Sequence, residues 1–354
     1  MTVLQVCAYA APYEGNFIKS LRALATTLAA QGHRTAFALP ESAKTIDWVK
    51  VLGREYDVFF LPLAKARIKP ETYIALRNIY KKYNDLAVIH SHFELYDVPV
   101  SITAPKDVKV FWHLHDALQM YNTLKHRTIH KIQYGFLHGR VKLLSVSEKH
   151  MQYVLDCGFP KNQAEYVPNG IDTDRIKLVT RSPENRKYDF IMFGWEFERK
   201  GVDLCIETIQ AKTLSYKVAV VGTTDTARII QERYGAGNGI EVVEPVSDIN
   251  ELYNNTKCFL HISRAEGLSY ALLEAVYAGL PVICSDISEN QFAQRFPTVK
   301  MVTSESIKEI GRAMQDMMEQ PLFANNIVAL SRQIIEAEYS ISSWVNQIMS
   351  EYGL

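Results

Sequence analysis

The sequence predicts an α/β protein built from two halves, each a parallel sheet covered on both faces. Three observations lead there. Short apolar runs recur along the 354 residues, and stretches with helical spacing separate them. The runs are apolar at successive positions, as strands buried on both sides must be. The length suffices for two domains with separate cores.

TVLQVCAY (2–9) is the first strand candidate. FIKSLRALATTLAAQG (17–32) is the clearest helix, apolar at helical spacing and closed by Gly32. TAFAL (35–39), VFFLPL (58–63), AVIHSH (87–92), KVFWHLH (109–115) and KLLSVS (142–147) complete the first set of strands. The second set is YDFIMFG (188–194), YKVAVVG (216–222), IEVVEP (240–245), CFLHIS (258–263) and LPVICS (280–285). A polar segment over 160–185 separates the sets. The expected domains are therefore 1–165 and 166–335, with 336–354 a closing amphipathic helix. Sheets of this kind gather ligands at the carboxyl ends of their strands.

Composition is that of a globular protein, with 47% hydrophobic and 22% charged residues. No apolar run is long enough to span a bilayer, and MTVLQVCAYAAP reads as a strand rather than a signal peptide. Five scattered cysteines without C-x-x-C spacing suit a reducing cytosol. The expected location is cytoplasmic, with peripheral contact on the inner membrane face as an option. Net charge is zero but uneven: residues 1–165 carry 21 Lys and Arg against 14 Asp and Glu, and the remainder carries 18 against 25. A basic half implies either an anionic partner, membrane surface or phosphorylated acceptor, or attraction between the halves. No nucleic-acid motif accompanies it.

Residues 263–286, SRAEGLSYALLEAVYAGLPVICSD, are the most informative stretch. They read as a strand end, a glycine loop carrying Glu266, a helix opening near Ser269 with Glu274 in its early turns, and a further strand. A helix start attracts phosphate through its unpaired amides and its dipole. Carboxylates beside it suit sugar hydroxyls, so the pattern is that of a site for a sugar joined to a phosphate.

This stretch resembles the E-x7-E motif of the retaining glycosyltransferases of family 4. The resemblance implies a GT-B fold: two Rossmann-like parallel-sheet domains facing a cleft, with the C-terminal helix crossing back to the first. It implies that Glu274 binds the nucleotide ribose and Glu266 lies by the donor sugar. The backbone of Gly267, Leu268, Ser269 and Tyr270 would approach sugar and diphosphate. FGWEFERKGVDL (193–204) holds the family's K-G pair in register as Lys200 and Gly201. The usual Arg is replaced by Trp195, and Arg199 is the alternative source of positive charge on the diphosphate. In AAPYEGNF (10–17) the family's Gly-Gly pair becomes Gly15 and Asn16, Asn being compatible with a left-handed backbone. His115 and Asp116 in WHLHDA resemble the family's His near the donor sugar.

Weaker signals surround these. VPNGID (167–172) resembles the family's NGID, yet Asn169 and Gly170 equally suit a plain turn. Asp172 and Asp174 mimic a D-x-D metal motif in the wrong place, so no metal is expected there. His90, His92, His113 and His115 form two H-x-H pairs that suggest a metal hydrolase, without the accompanying Asp and Lys; His92 reads as packing or cleft lining. SVSE (145–148) fits a helix cap by Ser147. GAGNG (235–239) follows a helix and precedes a strand, the reverse of a dinucleotide site. Residues 119–142 mix basic side chains with aromatics, which suits an anionic membrane, a lipid-diphosphate acceptor, or an ordinary solvated helix.

The expected activity is metal- and cofactor-independent retaining transfer of a sugar from a nucleotide donor to a hydroxyl acceptor, a glycan, lipid-linked or small molecule. Lys200, Glu266 and His115 are the candidate catalytic residues. A non-catalytic GT-B subunit is the alternative, supported by Trp195, and a sugar-nucleotide epimerase is a third reading.

Overall fold

The computed structural model describes the chain except residues 64–66, 116–122, 236–238, 247 and 320–324. Asp116, the centre of GAGNG and the start of the basic 119–142 segment thus lie outside the described residues. The chain divides into two compact units, Met1–Gly170 with Ile341–Leu354, and Ile171–Ser340.

Unit 1 contains β1 (Thr2–Cys7), α1 (Gly15–Ala30), β2 (Arg34–Pro40), α2 (Asp47–Glu55), β3 (Asp57–Leu61), α3 (Pro70–Tyr80) and β4 (Leu86–His92). α4 (Asp97–Thr103), β5 (Lys109–Leu114), α5 (Leu124–Phe136), β6 (Lys142–Ser145), α6 (Glu148–Asp156) and β7 (Ala164–Tyr166) follow. Among the described residues the sheet has seven parallel strands in the order β3-β2-β1-β4-β5-β6-β7. Unit 2 contains β8 (Tyr188–Phe193), α7 (Val202–Ala211), β9 (Val218–Val221), α8 (Thr224–Tyr234), β10 (Ile240–Val243) and α9 (Asn250–Asn254). It continues with β11 (Thr256–His261), α10 (Tyr270–Tyr277), β12 (Val282–Asp286), β13 (Val299–Thr303), α11 (Ile307–Glu319) and α12 (Asn325–Glu338). Its described sheet is six parallel strands, β10-β9-β8-β11-β12-β13. Both units are Rossmann-like, and the strand order reverses between β1 and β4 in one and between β8 and β11 in the other.

Each sheet carries an edge strand that periodicity misses. β7 is three residues of AEY, half-buried or exposed, and β13 (VKMVT) is mostly half-buried. Edge strands bury less, so they lack the apolar run that marks β1, whose six residues are all buried. The last helix, α13 (Ile341–Tyr352), belongs to unit 1. Its buried residues Trp344, Val345, Ile348, Met349 and Tyr352 recur at helical spacing. They join Ile18, Leu21, Leu24 and Leu28 of α1 in one core cluster on that face of the sheet. Leu4, Val6, Ile89, Val110 and Trp112 point to the opposite face, into a second cluster.

Candidate functional site

In unit 2 the carboxyl ends of β8 and β11 lie at the strand-order reversal, where doubly wound sheets hold ligands. The loop after β8 carries Arg199 and Lys200, and the loop after β11 carries Glu266. Gly201 brings these loops together. Its φ is +74°, and a Cβ there would lie 2.4 Å from the Ile262 carbonyl oxygen, so only glycine lets the start of α7 approach β11. The Arg264 amide donates to the Arg199 carbonyl at 2.8 Å. The Arg264 guanidinium forms a fork on Asp203, both bonds 2.8 Å, stitching the Glu266 loop to the first turn of α7.

Lys200 Nζ thereby donates to Glu266 Oε1 at 2.7 Å, and Arg199 Nη1 reaches Glu266 Oε2 at 3.2 Å. Adjacent residues so converge on one carboxylate. Arg199 also donates to the Ala265 carbonyl at 2.9 Å and grips Glu196 at 2.6 and 2.5 Å. Lys200 is 9% and Glu266 5% exposed, so this is a buried ionic cluster. His261, at the end of β11, stands 3.9 Å from Glu266. Burial tends to raise the Glu266 pKa, but Lys200, His261 and Arg199 together outweigh it and hold the carboxyl down at about 2. Glu266 is thus a permanent anion, unable to act as an acid at neutral pH. Burial pushes His261 down to about 4 against the pull of Glu266, leaving it neutral.

α10 begins immediately after. Ser269 caps it, accepting from the Leu272 amide at 3.4 Å. Gly267 and Tyr270 are half-buried, Leu268 and Ser269 buried. Glu274 lies in the second turn, 6% exposed, in an ion pair with Arg175. Trp195, at the family's Arg position, is 42% exposed and packs on Phe193, ring centroids 4.7 Å apart. It supplies no charge, whereas Arg199 does.

Unit 1 fills the corresponding position with neutral groups. The register pairs Gln5 with His90 and His92 with His113, which puts Gln5, His90, His92 and His113 on one sheet face. Tyr352 from α13 covers them. His92 Nε2 meets Gln5 Oε1 at 2.9 Å, Gln5 Nε2 donates to Tyr352 Oη at 3.1 Å, and Tyr352 Oη meets His90 Nδ1 at 2.7 Å. His90 Nε2 and His113 Nδ1 are 3.2 Å apart. His115 Nε2 joins His92 Nδ1 at 3.0 Å, and its Nδ1 faces the Asn169 side chain at 3.3 Å. Burial pushes His90, His92 and His113 well below the usual imidazole range, and brings His115 to about 3 despite the Asn169 bond. All four are neutral at pH 7, and both His115 nitrogens are engaged. His90, His92 and His113 offer ligand atoms within 4.8 Å of one another, but a metal would have to break this network to use them.

Gly15, at φ +59°, opens α1. The left-handed residue is thus Gly15 and not Asn16, which is buried within the first helical turn. Phe17 fixes this turn against the histidines, its ring 5.1 Å from His115 and 5.2 Å from His92. The structure therefore gathers Gly15, Asn16 and His115 in unit 1, and Arg199, Lys200 and Glu266 beside the start of α10 in unit 2. Ser147 caps α6, accepting from the His150 amide. Sequence reasoning misses Arg175, His261 and the Gln5–Tyr352 pair. Gln5 has a signal, a lone amide inside an apolar strand that needs a buried partner; Arg175 and His261 have none.

Known proteins match this organisation. Residues 19–175 match the model for Glycosyltransferase Family 4, and residues 187–320 that for Glycosyl transferases group 1. An uncharacterized glycosyltransferase of Methanocaldococcus jannaschii is 21% identical over 62% of this chain and 60% of its own length. Lipopolysaccharide glucosyltransferase WaaG of Escherichia coli K12 is 27% identical over 36% and 35%. Both matches span less than two thirds of the relative. The solved structure of Anabaena HepE in complex with UDP superposes with a TM-score of 0.81 at 15% identity, covering all of both chains. With two family models on successive segments and this fold, the chain belongs to the family 4, group 1 glycosyltransferases of the GT-B fold.

Proposed function

We propose that this protein is a retaining glycosyltransferase that moves a hexose from a uridine diphosphate sugar to a hydroxyl acceptor. The observation that carries this reading is the buried Lys200–Glu266–Arg199 cluster at the β8/β11 reversal, beside the capped start of α10. Two cations and a helix start meet the charge that grows on a departing diphosphate. They do so without requiring a metal. Glu266, fixed as an anion, accepts from sugar hydroxyls, and Glu274 accepts from the ribose once Arg175 shares it. Uridine is favoured because Anabaena HepE was solved with UDP and with UDP-glucose, and a glucosyl donor agrees with the name of the WaaG relative.

In the transfer step the acceptor oxygen bonds to the anomeric carbon on the face from which the diphosphate leaves. The carbon–oxygen bond to the phosphate breaks, and the acceptor proton passes to a departing phosphate oxygen. No protein nucleophile takes part. His115, neutral and doubly hydrogen-bonded, positions a sugar hydroxyl by exchanging its longer bond to Asn169 and carries no charge itself.

Thermal melting against UDP, GDP and ADP tests the reading. UDP should raise the melting temperature most, and Glu274→Ala should weaken UDP binding about tenfold, close to 1.4 kcal/mol, with folding intact. Folded wild-type protein that responds to none of the three overturns it and favours a non-catalytic role.

A further inference from the structure

Unit 1 has a recess of about 420 Å³ at the amino ends of β5 and β6. Three segments build it. The loop after α4 carries Lys106 and Asp107 into β5, where Lys109 is the first residue. Gly139, at φ +58°, turns the chain after α5 so that Arg140 and Lys142 lead into β6. The end of α13 supplies Glu351. The Arg140 guanidinium donates to the Pro105 carbonyl and so joins the first two segments. Lys109 and His115 are six residues apart along extended chain, about 20 Å. The recess therefore lies at the opposite edge of the sheet from His115.

The charges around it do not cancel. Lys142 is paired with Glu351. Lys109 Nζ donates to the Tyr352 carbonyl at 2.7 Å and Arg140 to that of Pro105, and a carbonyl partner leaves a full positive charge in place. Among the described residues, Lys106, Lys109 and Arg140 form no ion pair with a carboxylate. Exposed Asp107 is the remaining acid of the lining, so three unpaired cations face one unpaired acid and the recess keeps a net charge of +2.

We propose that this recess is a second ligand site, for a small water-soluble phosphate monoester whose dianion is held by Lys106, Lys109 and Arg140. Its volume lies within the range of about 300–1,000 Å³ that suits small-molecule sites. A phosphate monoester carries close to two negative charges at neutral pH, which matches the residual charge, and a guanidinium binds it through paired N–H groups. The apolar lining residues Val108, Val110 and Phe111 are buried. Nothing in the lining therefore projects to enter hydrocarbon, and the ligand is a soluble one. The proposal is independent of the donor chemistry assigned to unit 2.

Hydrogen exchange of the full-length protein is followed while inorganic phosphate is titrated to about 10 mM, with chloride holding the ionic strength constant. Phosphate should slow exchange over residues 104–111 and 139–143, and its concentration dependence gives the affinity. The double variant Lys106→Gln/Arg140→Gln should weaken that affinity about tenfold. Asp107→Asn removes the opposing charge and should strengthen it about threefold. All three side chains are exposed, so thermal melting should change little. No slowing over these segments, or equal affinity in wild type and the double variant, overturns the proposal. So does Asp107→Asn protein that binds phosphate no more tightly than wild type. Slowing confined to the segments around Lys200 and Glu266 overturns it as well, and would assign the anion to the cluster in unit 2.

Discussion

The two units place functional groups at the same topological position and fill it in opposite ways. At the β1/β4 reversal unit 1 buries imidazoles, an amide and a phenol, all neutral and joined by hydrogen bonds. At the β8/β11 reversal unit 2 buries a carboxylate clamped by Lys200 and Arg199. The contrast follows from what each arrangement can withstand. A neutral network avoids the large desolvation penalty of buried charge, but its imidazoles must stay unprotonated. A buried ion pair tolerates any moderate pH, but losing one partner strands a charge in a dry environment.

The largest expected difference is therefore in acid. A histidine whose folded pKa is depressed stabilises the fold above its unfolded value near 6.5 and loses that contribution as pH falls towards the folded value. His90, His92, His113 and His115 all have this sign. Asp97 opposes them, because burial raises its pKa to about 7 and the folded state holds its proton. Counting these four histidines against Asp97, three net protons taken up on unfolding give a slope of about 4 kcal/mol per pH unit below about pH 6, and His130, also lowered by burial, adds in the same direction. A unit 1 at the lower end of the typical stability of about 5–15 kcal/mol should therefore unfold near pH 5. Unit 2 has a single histidine of this sign, His261 at about 4, while Glu266, held at about 2, keeps its contribution until far lower pH. Tryptophan fluorescence separates the units, since Trp112 and Trp344 are buried in unit 1 and Trp195 is exposed in unit 2. A single transition at pH 5 in which hydrogen exchange shows unit 2 opening with unit 1 would remove the distinction.

Next in size is the loss of the clamp. Lys200→Ala leaves Glu266 to Arg199, which is already shared with Glu196, and to a neutral His261. Breaking a buried pair from one side should lower the stability of unit 2 by about 3–5 kcal/mol. If sugar transfer uses this cation, turnover should fall about 10²–10³-fold as well. The pair Lys200→Met/Glu266→Gln should recover much of the stability, since no unpaired charge remains, and none of the turnover. Calorimetry and donor turnover on the same samples read the two effects apart. A Lys200→Ala protein as stable as wild type would mean the cluster is not dry enough to behave as a buried pair.

The same contrast separates what the amino-acid sequence makes legible from what it hides. Both sheets are legible because their inner strands are apolar on two faces, and β7 and β13 are not because edge strands need no such pattern. Glu266, Glu274 and Lys200 stand out by spacing. That Arg199 turns to the same carboxylate as Lys200 depends on Gly201 meeting the Ile262 carbonyl, a contact between segments about sixty residues apart. Spacing points the H-x-H pairs to one face but does not reveal that they hydrogen-bond to one another. That depends on the register of β1, β4 and β5 and on Tyr352 arriving from the end of the chain. Arg175 as the partner of Glu274 is likewise a long-range contact with no local signature.

The smallest effect isolates the neutral network itself. Tyr352→Phe removes one hydroxyl and leaves α13 docked, because Lys109 still donates to the Tyr352 carbonyl at 2.7 Å and Trp344, Ile348 and Met349 stay buried. His90 Nδ1 and Gln5 Nε2 then lose their partner in a site no water reaches readily. Stranding such groups costs about 1–3 kcal/mol, so unit 1 should melt a few degrees lower. The loss should be smaller than that from Lys200→Ala, because neutral groups are cheaper to strand than a charge. Differential scanning fluorimetry of the two variants at pH 7.5 ranks them directly. If Tyr352→Phe proved the more damaging, the four histidines would have to carry charge in the folded state. The acid transition near pH 5 would then disappear with it.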